Sequence, residues 1–357
     1  MLVKERDSFR QTLLCMRKSY TQPVLLIMMC VCCISMACHK PDSASNDLTG
    51  NWSVAADFKG DSRGDAVAFV INDIAYVLAG TSKNGTYNDM YAFDLNNGSW
   101  TQKTPLPATA ARNSAVAFTI NGKGYIGTGY QSDNNLKDFW EYDPIAQTWT
   151  EKDTLPGDAR FDATAFVINN KAYVCGGYTG NKAFNDCFEF DPTAGKGFQW
   201  KEKASFPHKT YQGVSFVLNN KGYIVTGTNN SEVQKELYQY DADQNLWTTK
   251  RPLYNFSNDS YDDHYATIAR QNAVAFTLDK YAFIATGSNG AYAASTWGYD
   301  ADADTWKEYT GFEAKTREGS VAFTVKNRAF VLTGQTGTLY LDNMFEFNPF
   351  VPKVDND

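Results

Sequence analysis

Residues 63–80 read RGDAVAFVINDIAYVLAG, and closely similar stretches begin at five further positions. These stretches start at Arg112, Arg160, Thr210, Arg270 and Arg317. Successive starts are separated by 47 to 60 residues. Recurrence at this period predicts a repeat architecture, in which each unit buries its apolar faces against its neighbours.

Each repeat has the pattern of four short β-strands. In the first repeat, two apolar runs (66–71 and 75–78) flank Asn72-Asp73, a pair suited to a tight hairpin because Asn and Asp tolerate positive φ. A third run then carries aromatic residues two positions apart, which places both rings on one face of a strand. A fourth run starts with Trp and has an apolar residue six positions later, as in Trp100 and Leu106.

The repeats resemble the kelch repeat of β-propellers over about residues 48–350. The sixth repeat lacks its fourth strand, but Trp52, with Phe58 six positions later, supplies the missing pattern at the other end of the chain. We therefore predict an all-β, six-bladed kelch-type propeller with four antiparallel strands per blade, closed by an N-terminal strand at about 50–58. Closure would remove an unpaired sheet edge. Seven blades or an open arc are the alternatives.

Composition excludes several classes of function. The chain of 357 residues has a formal net charge of −7, which argues against nucleic acid as the main partner because phosphate binding requires positive charge. Only three histidines are present, which disfavours a zinc or copper centre built from several imidazoles. We predict no cofactor and no metal site.

The N-terminus has the pattern of a secretion signal. Residues 24–37, VLLIMMCVCCISMA, form an uncharged apolar run that is too short for a membrane span. Small residues before Cys38 resemble a bacterial lipoprotein signal, which implies lipidation of Cys38 and an outer-membrane lipoprotein facing the periplasm or the cell surface. The predicted organisation is a signal peptide (1–38), a flexible tether (39–47) and the propeller (48–357). Cleavage after Ala37, an uncleaved anchor and a start at Met16 remain alternatives.

Arginine opens five of the six repeats. A ring of guanidinium groups around a channel could hold an anionic ligand, since guanidinium matches carboxylate in a bidentate way. In the alternative interpretation the arginines are structural and pair, between blades, with Asp residues that precede third strands. The arginines concerned are Arg63, Arg112, Arg160, Arg270 and Arg317.

Polar positions that vary between repeats are further candidates for ligand contact. Two residues after the repeat start, these are Asp65, Asp162, Gln212 and Asn272. After the small-residue doublet that ends the second strand, Tyr130 and Tyr178 could stack on a sugar ring or a side chain, or else cover a loop. The long connection 254–269 is acidic and aromatic and contains His264, and we expect it to contact a ligand or partner.

Two cysteines lie in the predicted propeller. Cys175 and Cys187 occupy positions that are otherwise mostly apolar, so buried free thiols are expected. A disulfide is the alternative in an oxidising compartment.

The repeats account for most of the chain, and no catalytic constellation emerges from them. We therefore predict a membrane-tethered binding module that presents its rim to a protein or a glycan. The alternative is a carbohydrate isomerase resembling sialic acid mutarotase, a six-bladed kelch protein, which requires acid–base groups and an arginine for the substrate carboxylate. A copper radical oxidase resembling galactose oxidase is disfavoured, because that resemblance requires two His, two Tyr and a Tyr–Cys crosslink, and the predicted rim offers no free Cys.

Overall fold

The computed structural model describes residues 49–255, 257–258 and 265–355, which form six four-stranded antiparallel sheets arranged as the blades of a propeller. The innermost strands of blades 1 to 6 are Val67–Ile71, Val116–Ile120, Thr164–Ile168, Val214–Leu218, Val274–Leu278 and Val321–Val325. Each innermost strand contacts those of both neighbouring blades, and the sixth contacts the first, so the circle is closed. The predicted all-β, six-bladed fold is confirmed.

Within blades 1 to 5, the strands follow one another outward in chain order. The second strands are Ile74–Leu78, Lys123–Gly127, Lys171–Cys175, Lys221–Val225, Tyr281–Ala285 and Arg328–Leu332. The third strands are Met90–Asp94, Phe139–Asp143, Cys187–Phe190, Leu237–Asp241, Thr296–Asp300 and Met344–Pro352. The fourth strands of blades 1 to 5 are Ser99–Lys103, Thr148–Lys152, Trp200–Lys203, Leu246–Thr249 and Thr305–Tyr309.

Blade 6 takes its outer strand from the N-terminal side of the chain. Strand Thr49–Val54 pairs antiparallel with Met344–Pro352, with Trp52 opposite Phe347. The strand is shorter than the predicted 50–58, because the chain leaves the sheet after Val54 and crosses toward blade 1. There Phe58 is buried against Tyr91 and Trp100.

Apolar residues on both faces of each sheet explain why the blades stack. Phe93 and Trp100 of blade 1, for example, pack against Phe323 of blade 6, with ring centroids 6.1 and 6.4 Å away. Each buried aromatic of this kind contributes about 1.5–3 kcal/mol relative to exposure. The hairpin turns form where Asn accepts a left-handed backbone, as at Asn169 and Asn170, which have φ of 52° and 57°.

Cys175 and Cys187 lie directly opposite each other on adjacent strands of blade 3 and form a disulfide. The expectation of free thiols was therefore wrong, since the antiparallel register brings the two side chains face to face. Helical structure in the described part of the chain is confined to two 3-10 turns, Ala108–Ala110 and Tyr265–Thr267. Over the same residues, no helix has the length and hydropathy needed to span a bilayer.

Candidate functional site

A ring of six backbone hydrogen bonds surrounds one end of the central channel. It joins the residues two positions after each repeat start, and each amide donates to the carbonyl of the preceding blade over 2.8 to 3.1 Å. All six residues have a left-handed backbone, with φ between 50° and 62°. The members are Asp65, Ser114, Asp162, Gln212, Asn272 and Gly319. We call these residues the backbone ring and the channel end that they surround the mouth.

A second circle of hydrogen bonds holds neighbouring blades together beside the mouth. The glycine that ends each second-strand doublet donates to the carbonyl of the residue that opens the next repeat, as Gly80 does to Arg112 and Gly334 to Arg63, each over 2.8 Å. A side chain at Gly80 would press against the carbonyl of Gly64. Glycine at this position therefore allows the close approach of two segments of the same blade.

The five repeat-opening arginines are fully buried, and each one braces its own blade. Arg160, for example, donates through Nε to Asp158 O, through Nη1 to Gly176 O, and through Nη2 to Asp186 Oδ2 at 2.9 Å. The salt bridges of Arg63, Arg112 and Arg160 with Asp89, Asp138 and Asp186 lie within one blade, and not between blades. In blade 5, Arg270 donates a hydrogen bond to the hydroxyl of Ser295 instead of to a carboxylate, and in blade 6 Arg317 donates to the side-chain carbonyl of Asn343. The arginines are thus part of the blade framework and present no cation at the mouth.

Two carboxyl groups lie in the backbone ring. Burial raises the pKa of Asp65 to about 7, and the nearby carboxylates of Asp162 and Glu318 act in the same direction. Burial also raises the pKa of Asp162 to about 6, although hydrogen bonds from Ser114 and Gln212 act in the opposite direction. Both groups can therefore gain or lose a proton near neutral pH.

The carboxylate of Asp65 lies over the one ring member without a side chain. A Cβ atom on Gly319 would collide with Oδ1 of Asp65. Glu318, next to Gly319, accepts a hydrogen bond from Ser288 Oγ at 2.6 Å. Asp65, Asp162 and Glu318 together make this end of the channel acidic.

Four aromatic side chains form an arc on one side of the mouth, across blades 2 to 4. Tyr130 lies 5.5 Å from Phe161, Phe161 lies 5.8 Å from Tyr178, and Tyr178 stacks on Tyr211 at 4.5 Å between ring centroids. All four are half-buried. We call these residues the aromatic arc. On the remaining side of the mouth, the corresponding positions are glycine or polar residues, as at Gly64, Thr81, Gln271, Ser288, Glu318 and Gln335.

The mouth opens into a narrow channel lined by small side chains. A cavity of 110 Å³ is bounded by the backbone ring and the residues that follow it. It shares Ala115, Ala163 and Gly213 with a second cavity of 180 Å³, deeper between the innermost strands. Ala165 and Ser215 are among the residues that line the deeper cavity.

The structure brings together the predicted candidates Asp65, Asp162, Gln212 and Asn272 in the backbone ring, and Tyr130 and Tyr178 in the aromatic arc. His264 and the acidic residues beside it lie outside the described residues. The end of that connection enters the core, where buried Tyr265 donates to Trp306 O at 2.7 Å. Within the described ranges, no three His, Cys, Asp or Glu side chains approach closely enough to hold a metal ion.

Sequence reasoning missed Phe161, Tyr211 and Glu318. Each directly follows the first residue of a repeat. Each also forms an antiparallel β-bridge with the residue after the small-residue doublet of the same blade: Phe161 with Tyr178, Tyr211 with Thr228, and Glu318 with Gln335. The sequence signal is the same one that identified Tyr178, namely a position that varies while its neighbours recur.

A family model described as the Attractin/LZTR1 β-propeller matches residues 75–344 of this chain. The match covers most of the propeller and extends from the second strand of blade 1 to the third strand of blade 6. A search of curated proteins gave no match to the sequence.

Proposed function

Because the chain belongs to the Attractin/LZTR1 β-propeller family, we propose that it is an interaction module whose ligand, a protein or a glycan, docks at the mouth. Propellers present loops on a rigid scaffold, and binding residues concentrate on such loops. The family and the fold support the general role. The ligand class and the docking site are the proposal.

The observation that carries the proposal is the contrast between an invariant framework and variable side chains at one end of the channel. Six loops are fixed by the same backbone hydrogen bonds, yet their side chains differ in charge, size and polarity. The four half-buried aromatic residues of the arc adjoin one another, and aromatic residues dominate the energetics of recognition surfaces.

We further propose that the repeats are of the kelch type and that the propeller is held at a bacterial outer membrane. A lipid on Cys38 and the polar segment 39–47 would form the anchor and tether. This part rests on the N-terminal sequence alone, because residues 1–48 lie outside the described residues. Metabolic labelling with a clickable fatty acid tests it, since labelling should disappear in the variant Cys38→Ala.

Binding at the mouth is tested by applying the full-length protein to glycan arrays and to immobilised envelope proteins. The variant Tyr178→Ser with Tyr211→Ser should lose at least tenfold in affinity for the ligand so identified. Phe198→Ser is the matched control, because Phe198 is exposed and lies in a connection between third and fourth strands, at the opposite end of the blade. Equal loss in both variants, or loss in neither, would exclude the mouth as the docking site.

The carboxyls of the mouth favour a second candidate, a carbohydrate isomerase. Because their pKa values lie near 7 and 6, Asp65 and Asp162 can exchange protons with a sugar at neutral pH. The five repeat-opening arginines, however, are buried and present no guanidinium at the mouth to a substrate carboxylate. Faster anomerisation of sialate or of a hexose by the purified protein, measured by NMR and lost in Asp162→Asn, would establish this function in place of the first.

A further inference from the structure

We infer that the ligand of the mouth presents a primary ammonium group, and that a lysine side chain of a protein partner enters the backbone ring beside Asp65 and Asp162. The inference rests on the proposed function and specifies the chemistry of the ligand. It also reverses the charge expected from sequence, where the recurrent arginines pointed to an anion.

When Asp65 and Asp162 are ionised, the mouth carries a negative charge that no basic side chain among the described residues pairs with. Among the described residues, no hydrogen bond or ion pair joins the carboxylates of Asp65 or Asp162 to a basic side chain. The nearest repeated cations, such as Arg63 and Arg160, are buried and bonded to carbonyls and to other aspartates. An ammonium ion in the ring would meet two carboxylates that the protein itself leaves without a counter-charge.

The width of the ring favours an unbranched chain. Hydrogen-bonded backbone segments lie about 4.8 Å apart. Six of them in a closed hexagon therefore place the centre about 5 Å from each segment. Non-bonded heavy atoms keep about 3.5–4 Å apart, so the centre admits a single file of ligand atoms. The compact ammonium on a methylene stem fits this opening better than the planar, broader guanidinium does.

The aromatic arc supports the same conclusion. Ring faces attract cations, so Tyr130, Phe161, Tyr178 and Tyr211 favour the approach of a positive group from one side of the mouth. The arc and the surrounding hairpins also offer a surface broader than the ring itself. A protein partner can cover this surface while one of its lysines enters the ring, and the chain's formal net charge of −7 is complementary to a basic partner.

The test uses the full-length protein and a set of blocked peptides of one sequence with a single variable position. Binding is measured by NMR titration or calorimetry for lysine, acetyl-lysine, arginine and norleucine at that position. The lysine peptide should bind at least tenfold more tightly than each of the other three. Asp65→Asn and Asp162→Asn should each reduce that affinity at least fivefold, whereas Asp243→Asn, at an exposed turn away from the mouth, should not.

The affinity for the lysine peptide should also rise by about tenfold or more between pH 5 and pH 8, because both ring carboxyls ionise in that interval while the ammonium stays charged. The titratable groups that interact with the pair are Glu318, which faces Asp65, and Tyr211, which faces Asp162.

Three outcomes separate this inference from the proposed function. Equal binding of the lysine and acetyl-lysine peptides, or binding unaffected by Asp65→Asn and Asp162→Asn, overturns the inference. Mouth-dependent binding of glucosamine oligomers, with no lysine-peptide binding, overturns the protein partner but leaves the mouth as a docking site. Binding of peptides, glycans and envelope proteins that is indifferent to Tyr178→Ser with Tyr211→Ser refutes the proposed function itself.

Discussion

Replacing Trp52 by Ala tests the closure of the propeller. The indole is 1% exposed and donates from Nε1 to Thr296 Oγ1 and to Thr310 O, each at 3.2 Å. Its ring centroid lies 4.8 Å from that of Phe312 and 4.7 Å from that of Phe347. Truncation of a core Trp to Ala typically costs about 3–5 kcal/mol. We expect a loss of this size in the free energy of unfolding.

The location of the damage distinguishes closure from a general loss of packing. Hydrogen exchange should accelerate together in Thr49–Val54 and in Met344–Pro352, since each strand is the other's partner at the sheet edge. The matched control is Trp306→Ala, which removes a Trp of similar burial from blade 5. It should cost a similar free energy but accelerate exchange first in blade 5.

Urea unfolding and exchange mass spectrometry measure the two effects. A loss below about 1 kcal/mol for Trp52→Ala would contradict the burial argument. Unchanged exchange in Met344–Pro352 would show that the N-terminal strand does not close blade 6 in solution.

Three further predictions concern the mouth, the blade framework and the disulfide. Asp65→Asn should raise the free energy of unfolding by at most about 4 kcal/mol at pH 8 and change it little at pH 4. The raised pKa of Asp65 means that its ionised form destabilises the folded protein, and this cost grows between pH 4 and pH 7. Urea unfolding at both pH values measures the difference. Arg160→Met should cost about 3–5 kcal/mol in thermal or chemical unfolding by stranding a partly buried aspartate, whereas Arg328→Met, at a half-exposed ion pair, should cost less than about 1 kcal/mol. Cys175→Ala with Cys187→Ala should lower the free energy of unfolding by about 3 kcal/mol. Reductant should lower the melting temperature of the wild type and leave that of the variant unchanged.

The architecture was predictable because every blade repeats the same physical solution. Six recurrences fix strand order and spacing, and Trp52 could be matched to the missing strand because Trp is the first or second residue of the fourth strand in each of the other five blades. The residue at which the closing strand ends was harder to predict from the sequence. Val54 and Phe58 are both apolar, and only the crossing to blade 1 shows that Phe58 has left the sheet.

Positions that differ between the repeats indicated residues that lie at the mouth, whereas positions that recur in most repeats were misleading. Recurrence of Arg160 and its equivalents reflects a structural need in each blade, which sequence alone cannot distinguish from a shared ligand contact. Asp65 and Asp162 stood out because they vary. Their raised pKa values could not be inferred, because these depend on burial and on a distance between blades far apart in sequence.

In the backbone ring, main-chain hydrogen bonds set the size of the mouth, and the side chains set its chemistry. Its hydrogen bonds use only main-chain amides and carbonyls, and its left-handed geometry accommodates Asp, Ser, Gln, Asn and Gly alike. Substitution there can alter selectivity without resizing the opening. Engineered specificity can therefore start from the five ring positions that already carry a side chain, whereas a side chain at Gly319 would collide with Asp65.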